Sequence, residues 1–380
     1  MANLIDYIEW RGDLDFYKDP LNLIDCVCYS QLAIINLSGL FNDCSIKLSK
    51  LFDCYADNGR IEKSLGAIVP YDINFLFKKM ACCTRFKDTI ACGYVYESDL
   101  NKKTQFSAVT FDNDLYRLIV FSGTDDTIVG WEENFTLLNE RPTYAQTQAV
   151  KYLKEHADFD GEVFVLGHSK GGNLALYSFL HSDLKTASKI NKCICIDGPG
   201  LKDSDFDCPV FKTYSNKTLS ILPESSIIGR LFSHRENEII VKSSQTGMFQ
   251  HDCLSWQVIC NRFVTAEKLS TLSQKIEILI KDIISKMDMS AKYVFVSTLF
   301  KMLYASDSLT LSDLETKRAS LLTSYVKLNK DEKKVFNSVM AQLIKDSSVR
   351  KMFVNDLKQL RLSKADFIEK RQQLLAEINS

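Results

Sequence analysis

The sequence has neither a large net charge nor a long apolar run. It carries 47 basic and 48 acidic residues, so its formal net charge of −1 gives no reason to expect nucleic acid as a partner. Its apolar runs fall short of transmembrane length, and charged residues occur too early in the chain for a signal peptide. We therefore expect a cytoplasmic protein with no transmembrane segment.

Spacings typical of metal sites and disulfide frameworks are also missing, although the chain has twelve cysteines. It contains no Cys-x-x-Cys pair, and adjacent or alternate cysteines suit tetrahedral zinc poorly. Pairs such as Cys26 with Cys28 lie among apolar residues, where a free thiol packs as a small hydrophobe. We expect reduced core thiols, no metal and no organic cofactor.

Proline and glycine disappear from the last third of the chain, after Pro223 and Gly247 respectively. That tail repeats apolar residues at helical spacing, and the helix starts that it predicts lie at Thr310, Asn329 and Ser363. Isolated helices of such length are marginal in water. We therefore expect residues 264–380 to form a helical region that packs on a domain formed by residues 1–263, over the catalytic crevice.

The first two thirds of the chain alternate between strand and helix signals. CGYVYES, FSAVTFD and LYRLIVFSG predict strands, and EVFVLG, KCICIDG and KTLSILP follow as strands separated by helical segments. Strands that are apolar throughout and alternate with helices are typical of a mostly parallel sheet covered on both faces. The predicted fold class is α/β.

One glycine-rich segment, VFVLGHSKGGNLALYSFL, raises the question of catalysis. Gly167, His168, Ser169 and Gly171 form a G-x-S-x-G pattern between a predicted buried strand and a predicted helix. Such a tight turn presents its serine as a nucleophile and requires small neighbours. The alternative is an ordinary glycine-rich turn with a capping serine; the spacing of a phosphate-binding loop is absent.

A serine nucleophile needs a general base, and the chain offers only five histidines. His168 is part of the turn itself, and His156 and His181 fall in polar helix ends. His234 lies in a charged segment that we expect to be exposed. His251 follows the last predicted strand, NEIIVKSS, where an α/β-hydrolase places its histidine, so it is the predicted base.

The orienting acid has two candidates at the ends of neighbouring strands. Asp197 ends KCICID and is the preferred one, because side chains at that edge of a parallel sheet face the crevice. Glu224, after the following strand, remains the alternative. Asp252 adjoins His251 in sequence, and adjacent residues rarely place a carboxylate on the imidazole Nδ1.

The predicted oxyanion hole combines two backbone N–H groups. One belongs to Lys170, the residue after the nucleophile. The other belongs to Thr124, in the loop that follows LYRLIVF, where Gly123 allows the backbone to approach a substrate. The Thr124 hydroxyl is a further candidate donor, and a plain turn at the strand end is the alternative.

Four segments taken in order, FSGTDDTIVGW, GHSKGGNLA, DGPG and QHDCLSW, resemble the Mbeg-like bacterial α/β-hydrolases, a family related to the class 3 lipases. The resemblance spans most of the chain and implies an α/β-hydrolase fold. It departs from the class 3 lipases at Ser122, where their oxyanion loop carries arginine. The DGPG turn resembles the acid-bearing turn of pancreatic-type lipases, so the resemblance implies a triad of Ser169, Asp197 and His251. The fungal-type arrangement would instead favour Glu224.

The expected activity is that of a serine hydrolase that cleaves acyl or lipid-like esters through an acyl-enzyme, and the resemblance alone implies that substrate class. An acyltransferase or a thioesterase with the same triad is one alternative. A non-catalytic scaffold whose helical tail binds partners is another. The sequence identifies no particular protein partner.

Overall fold

A computed structural model of the chain describes residues 1–41, 45–66, 69–137, 142–305, 309–316 and 323–379. In these ranges an eight-stranded sheet forms the centre of the fold. Its strands are β1 Ile46–Lys47, β2 Ile90–Asp99, β3 Thr104–Asp112, β4 Tyr116–Phe121, β5 Glu162–His168, β6 Ile190–Ile196, β7 Thr218–Pro223 and β8 Asn237–Val241. A separate hairpin pairs β9, Val258–Ile259, with β10, Arg262–Phe263.

The strands lie in the sheet in the order in which they occur in the chain. The first four pair antiparallel, and β4 to β8 pair parallel, so most neighbouring pairs are parallel. This confirms the predicted α/β class and, with the strand-turn-helix at β5, the α/β-hydrolase fold.

Helices cover both faces of the sheet. Those of the first 263 residues are α1 Leu4–Arg11, α2 Leu23–Leu32, α3 Leu48–Asp57, α4 Ile73–Cys82, α5 Ile128–Thr136, α6 Tyr144–His156, α7 Lys170–Leu180, α8 Leu184–Lys189 and α9 Pro209–Tyr214. Helices α1 to α4 share one hydrophobic cluster with the sheet, and α6 to α9 share another. The sheet therefore separates two cores.

Strand β4 shows how one segment serves both cores. Leu118 and Val120 belong to the cluster of the N-terminal helices, whereas Ile119 and Phe121 belong to the cluster of α6 and α7. All four side chains are fully buried. Because successive side chains of a strand point to opposite faces, a strand that is buried on both faces must be apolar throughout.

The tail is helical in the described ranges, as its composition predicts. Its helices are α10 Thr271–Lys286, α11 Met289–Tyr304, α12 Leu311–Thr316, α13 Lys330–Lys345 and α14 Ser347–Asn379. Thr310 and Asn329 cap α12 and α13 as expected. The helix start predicted at Ser363 is wrong: this residue lies inside α14, and the tail has no proline or glycine there to end the helix.

The tail helices contact the rest of the chain at several places, one of which is the ion pair between Glu277 of α10 and Arg230 at 2.9 Å. Helix α11 packs on α5, where the Phe300 and Phe135 rings lie 5.5 Å apart. Helix α14 joins the core of the N-terminal helices through the buried Leu374 and through Phe367, whose ring lies 5.2 Å from that of Tyr71. The chain between α11 and α12 also pairs with the main domain, since the Ile128 N–H donates to the Leu309 carbonyl at 2.8 Å.

The cysteines within the described ranges are unpaired thiols, and most are buried or half-buried. The same ranges hold no cluster of three or more histidine, cysteine and acidic side chains arranged for a metal ion. Among their helices, none combines the length and apolarity needed to cross a membrane.

Candidate active site

Ser169 stands on a strained turn between β5 and α7. Its backbone angles are φ 58° and ψ −126°, in a region that residues with a Cβ rarely adopt. Such a conformation costs on the order of 1–3 kcal/mol and persists only where the surroundings enforce it. Here the Ser169 N–H donates to the Ile196 carbonyl at 2.9 Å, which ties the turn to strand β6.

The turn depends on glycines because backbone segments approach each other closely. A Cβ on Gly171 would stand 2.1 Å from the Phe121 carbonyl oxygen, and one on Gly167 would stand 2.4 Å from the Gly171 backbone. Both distances are far shorter than van der Waals contact. This turn therefore requires glycine at both positions of the G-x-S-x-G pattern, because a side chain at either one would clash with the backbone.

His251 and Asp197 are joined by a short hydrogen bond. The His251 Nδ1 lies 2.6 Å from the Asp197 Oδ2. A carboxylate only accepts hydrogen bonds, so Nδ1 carries a proton, and in the neutral form of the ring the lone pair is on Nε2. The Asp197 side chain is buried, whereas the His251 side chain is 22% exposed. A buried carboxylate therefore orients an imidazole that remains partly exposed to solvent.

The second oxygen of Asp197 is held by the loop after β7. Its Oδ1 accepts from the Ser226 hydroxyl at 2.5 Å and from the Gly229 N–H at 3.1 Å. Asp197 itself has a φ of 42°, and its own N–H donates to the Ile221 carbonyl at 2.9 Å. Four hydrogen bonds, counting the one to His251, thus fix this carboxylate and its backbone.

Glu224, the alternative acid, lies at the start of that same loop. It is half-buried, and its backbone N–H and carbonyl pair with Val241 and Ser270. Within the described ranges, no hydrogen bond joins the Glu224 carboxylate to His251. The loop that we considered as a source of the acid instead holds Asp197 in place.

His168 connects the serine turn to His251. Its Nε2 donates to the His251 carbonyl at 2.9 Å, and the two rings lie 4.4 Å apart. In the described part of the chain, the Ser169 hydroxyl forms no hydrogen bond with His251. Hydrogen bonds between catalytic groups are often long without substrate and tighten only in the complex.

Burial and the neighbouring His251 lower the pKa of His168 to about 3. His168 is consequently neutral at physiological pH, in agreement with one ring N–H that donates to a carbonyl. His168 directly precedes Ser169, so its hydrogen bond to the His251 carbonyl connects the serine turn to the backbone of His251.

The other histidines lie apart from this cluster. His156 stacks on Tyr152, and His181 pairs with Asp205. The expectation that His234 is exposed is wrong, because its side chain is only 2% exposed and its Nδ1 lies 2.6 Å from a Glu236 oxygen. The charged residues of this segment suggested exposure, but Glu236 is itself buried and is the hydrogen-bond partner of His234.

Thr124 follows β4 and lies on the loop beside the serine. A Cβ on the preceding Gly123 would stand only 3.6 Å from the Ser169 Cβ, so this backbone passes next to the nucleophile. The Thr124 Oγ1 accepts a hydrogen bond from the Asn134 Nδ2 at 2.6 Å. Because the oxygen acts as an acceptor there, its own proton stays available for another acceptor.

Lys170 is the first residue of α7, so its N–H has no acceptor within the helix. Its side chain is buried and turns to the interior, where the Nζ donates to Glu133 and to Gln105. The sequence predicted a role for the Lys170 backbone alone. The roles of Glu133 and Asn134 were not predicted, because nothing in the segment WEENF indicates which of its polar side chains are buried.

A cavity of about 210 Å³ borders the loop that carries Thr124. Ile34, on its wall, lies 3.7 Å from the point where a Cβ on Gly123 would stand, so the cavity reaches the vicinity of Ser169. Its polar lining consists of Asn36, Ser64, Tyr94, Tyr96, Gln105, Ser107, Ser122, Asp125, Asp126 and Thr127. This space could hold part of a small substrate.

Comparison with known proteins identifies the family. A family model described as Mbeg1-like matches residues 80–301, which is more than half of the chain. The chain belongs to the Mbeg1-like family. The matched segment contains Thr124, Ser169, Asp197 and His251 and extends through α10 into α11, so it includes part of the helical tail.

One similar solved structure is the crystal structure of M37 lipase. It is 12% identical, the likeness covers 55% of this chain and 68% of the lipase chain, and the TM-score is 0.32. No curated protein matches the chain.

The low pKa of His168 predicts a pH dependence of stability. The pKa of this histidine is 6.5 in the unfolded chain and about 3 in the folded protein. Between pH 6.5 and about pH 3 the unfolded chain therefore binds a proton that the folded protein does not, so the free energy of unfolding falls as the pH falls. From pH 7 to pH 5 this histidine should cost about 2 kcal/mol of unfolding free energy. His168→Asn should remove that loss, as measured by urea unfolding at both pH values.

The matched control is His181→Asn, which changes a histidine whose side chain is 33% exposed and should leave the pH dependence as in the wild type. Parallel curves for the wild type and His168→Asn would contradict the assignment of a neutral His168 in the folded protein.

Proposed function

We propose that this protein is a serine hydrolase that cleaves carboxylic esters, of acyl or lipid-like type, through Ser169, His251 and Asp197. The observation that carries the proposal is the Asp197–His251 hydrogen bond beside the strained serine turn, because it selects the tautomer of the neutral imidazole whose lone pair is on Nε2. The membership in the Mbeg1-like family and the α/β-hydrolase fold agree with it.

In this mechanism His251 removes the Ser169 proton while the serine oxygen attacks the ester carbonyl. The negative charge that develops on the carbonyl oxygen is stabilised by the N–H groups of Lys170 and Thr124 and by the Thr124 hydroxyl. His251 then gives its proton to the leaving alcohol, and Asp197 stabilises the imidazolium in between. Water activated by His251 releases the acyl group from Ser169.

The backbone strain at Ser169 supports catalysis over a scaffold role. Ser169 and Asp197 both have positive φ angles, although either residue could have been replaced by glycine at lower conformational cost. Strain of this kind clusters at functional sites, where the side chain is needed in that position. A purely structural turn gives no reason to keep a serine and an aspartate at these two positions.

Reaction with a fluorophosphonate probe tests the nucleophile, and the rate of ester hydrolysis tests the acid. The wild type should be labelled on Ser169, and Ser169→Ala should not be labelled. Asp197→Asn should lower kcat on a p-nitrophenyl ester by on the order of 10⁴, because the imidazole loses its orientation and the stabilisation of its charge. The measurements are the labelled residue, by mass spectrometry, and the hydrolysis rate.

Glu224→Gln is the matched control, since it changes a carboxylate of the same sheet edge and should leave kcat near the wild-type value. Two outcomes would contradict the proposal: probe attached to another residue in Ser169→Ala, or a severe loss in Glu224→Gln with a mild one in Asp197→Asn.

We also propose that residues 264–380 form a helical region that is an integral part of the hydrolase and not a separate binding module. Helix α14 supports this, because its buried Leu374 shares a core with Leu4 and Tyr7 of α1. The segment after α11 supports it as well, because the Leu311 N–H donates to the Asp126 carbonyl at 2.9 Å, two residues after Thr124. The tail thus holds the loop of the proposed oxyanion hole.

A fragment of residues 1–263 should be insoluble or strongly destabilised, because the loss of the tail exposes the apolar surfaces of α1, α4 and α5. A truncation after residue 346, which removes only α14, should fold but melt well below the full chain. Solubility and thermal melting measure both. A soluble 1–263 fragment with the melting temperature of the full chain would show that the tail is independent.

A further inference from the structure

The Lys170 side chain is used for a purpose separate from its backbone. It is only 4% exposed, and its ammonium group donates to the Glu133 carboxylate, to the Gln105 carbonyl and to the Gln105 Oε1. Its three protons therefore have partners. A buried ammonium without a partner is strongly destabilising, so this network has to be maintained whenever the protein is folded.

Glu133 is shared between four elements of the fold. Its Oε2 accepts from the Gln105 N–H at 3.0 Å as well as from Lys170, and its Oε1 accepts from the Ala145 N–H at 3.0 Å. The carboxylate of α5 thus binds β3, the first turn of α6 and the first residue of α7. A carboxylate that is bound on all sides leaves α5 and α7 little freedom to shift relative to each other.

The residue next to Glu133 holds the other half of the site. Asn134 donates to the Thr124 Oγ1 at 2.6 Å. Two consecutive residues near the end of α5 therefore bind the two residues that carry the proposed oxyanion donors: Glu133 binds Lys170, and Asn134 binds Thr124. Any movement of α5 relative to α7 would change the distance between these donors.

We propose that the buried Lys170–Glu133 ion pair positions the two halves of the oxyanion hole, so that the Glu133 carboxylate and the Lys170 ammonium are positioning groups for ester hydrolysis. This inference rests on the proposed function. Neither charge contacts the substrate; the pair acts by fixing the Lys170 and Thr124 N–H groups at the spacing that the oxyanion needs. A displacement of such donors by about 1 Å costs on the order of 10²-fold in rate.

The test is a pair of full-length variants, Lys170→Met and the double variant Lys170→Met with Glu133→Gln. The single change leaves the Glu133 charge buried without its cation and should lower the melting temperature strongly. The double change removes both charges, and the new amide can donate to the Gln105 carbonyl that Lys170 leaves. This amide has one acceptor oxygen where the carboxylate has two, so either the Gln105 N–H or the Ala145 N–H loses its acceptor. The melting temperature of the double variant should lie above that of Lys170→Met, because no unpaired charge stays buried, and below that of the wild type, because one buried N–H loses its acceptor.

Activity should not recover with stability. For a short p-nitrophenyl ester, we expect kcat of the double variant to stay on the order of 10²-fold below the wild type with KM nearly unchanged, since donors that act on the transition state are displaced. Glu132→Gln is the matched control. Glu132 is the neighbour on α5 that pairs with Lys103 and Tyr304, and its substitution should leave kcat unchanged.

Three results separate the possible failures. A double variant with wild-type kcat would overturn the positioning role while the hydrolase proposal stands. A loss of kcat in Glu132→Gln as large as that in the double variant would also overturn it, because the effect would then belong to α5 in general. A wild type whose Ser169 does not react with fluorophosphonate would instead refute the proposed function itself.

Discussion

The parallel register of strands β4, β5 and β6 is the constraint on which the candidate site depends. Phe121 lies beside Gly167, and Gly167 lies beside Cys195, so the three strands end at the same edge of the sheet. Two positions beyond this row come the residues that matter for the proposed chemistry, namely Gly123, Ser169 and Asp197. Side chains and N–H groups that are far apart in the sequence therefore meet without any adjustment of the loops.

Register alone does not orient these groups, and the orientation comes from buried polar contacts. Ser169 and Asp197 have strained backbones, and each is held by a hydrogen bond to the neighbouring strand. The Asp197 carboxylate is fixed by Ser226 and Gly229 before it reaches His251. On the other side, α5 holds both proposed oxyanion donors through Glu133 and Asn134. The buried contacts around the turn thus maintain its strained backbone.

The sequence alone predicted the features that have a local or periodic signal. The sheet class followed from apolar strands alternating with helices, and the family followed from short motifs; both are confirmed. Ser169 and His251 could be selected because a glycine pattern and a shortage of histidines narrow the choice. Their catalytic roles, with that of Asp197, stay predictions. The hydrogen bond to Asp197 adds a geometric reason for them.

What the sequence could not provide was burial. The charged segment of His234 was expected to be exposed, yet this side chain is buried and pairs with Glu236. Glu133, in the segment WEENF, is likewise buried and pairs with Lys170. Ser363 had the spacing of a helix start, yet α14 continues through it, because no proline or glycine breaks the helix before that residue. Each error arises where tertiary contacts decide and no local pattern reports them.

The most direct test of the central claim is a crystal structure of the full chain after reaction with a small fluorophosphonate. The account predicts phosphorus bonded to the Ser169 Oγ, with the phosphoryl oxygen about 2.7–3.1 Å from the N–H nitrogens of Lys170 and Thr124. It also predicts an intact hydrogen bond between His251 and Asp197. A phosphoryl oxygen that points to solvent, or an adduct on any other residue, would contradict it.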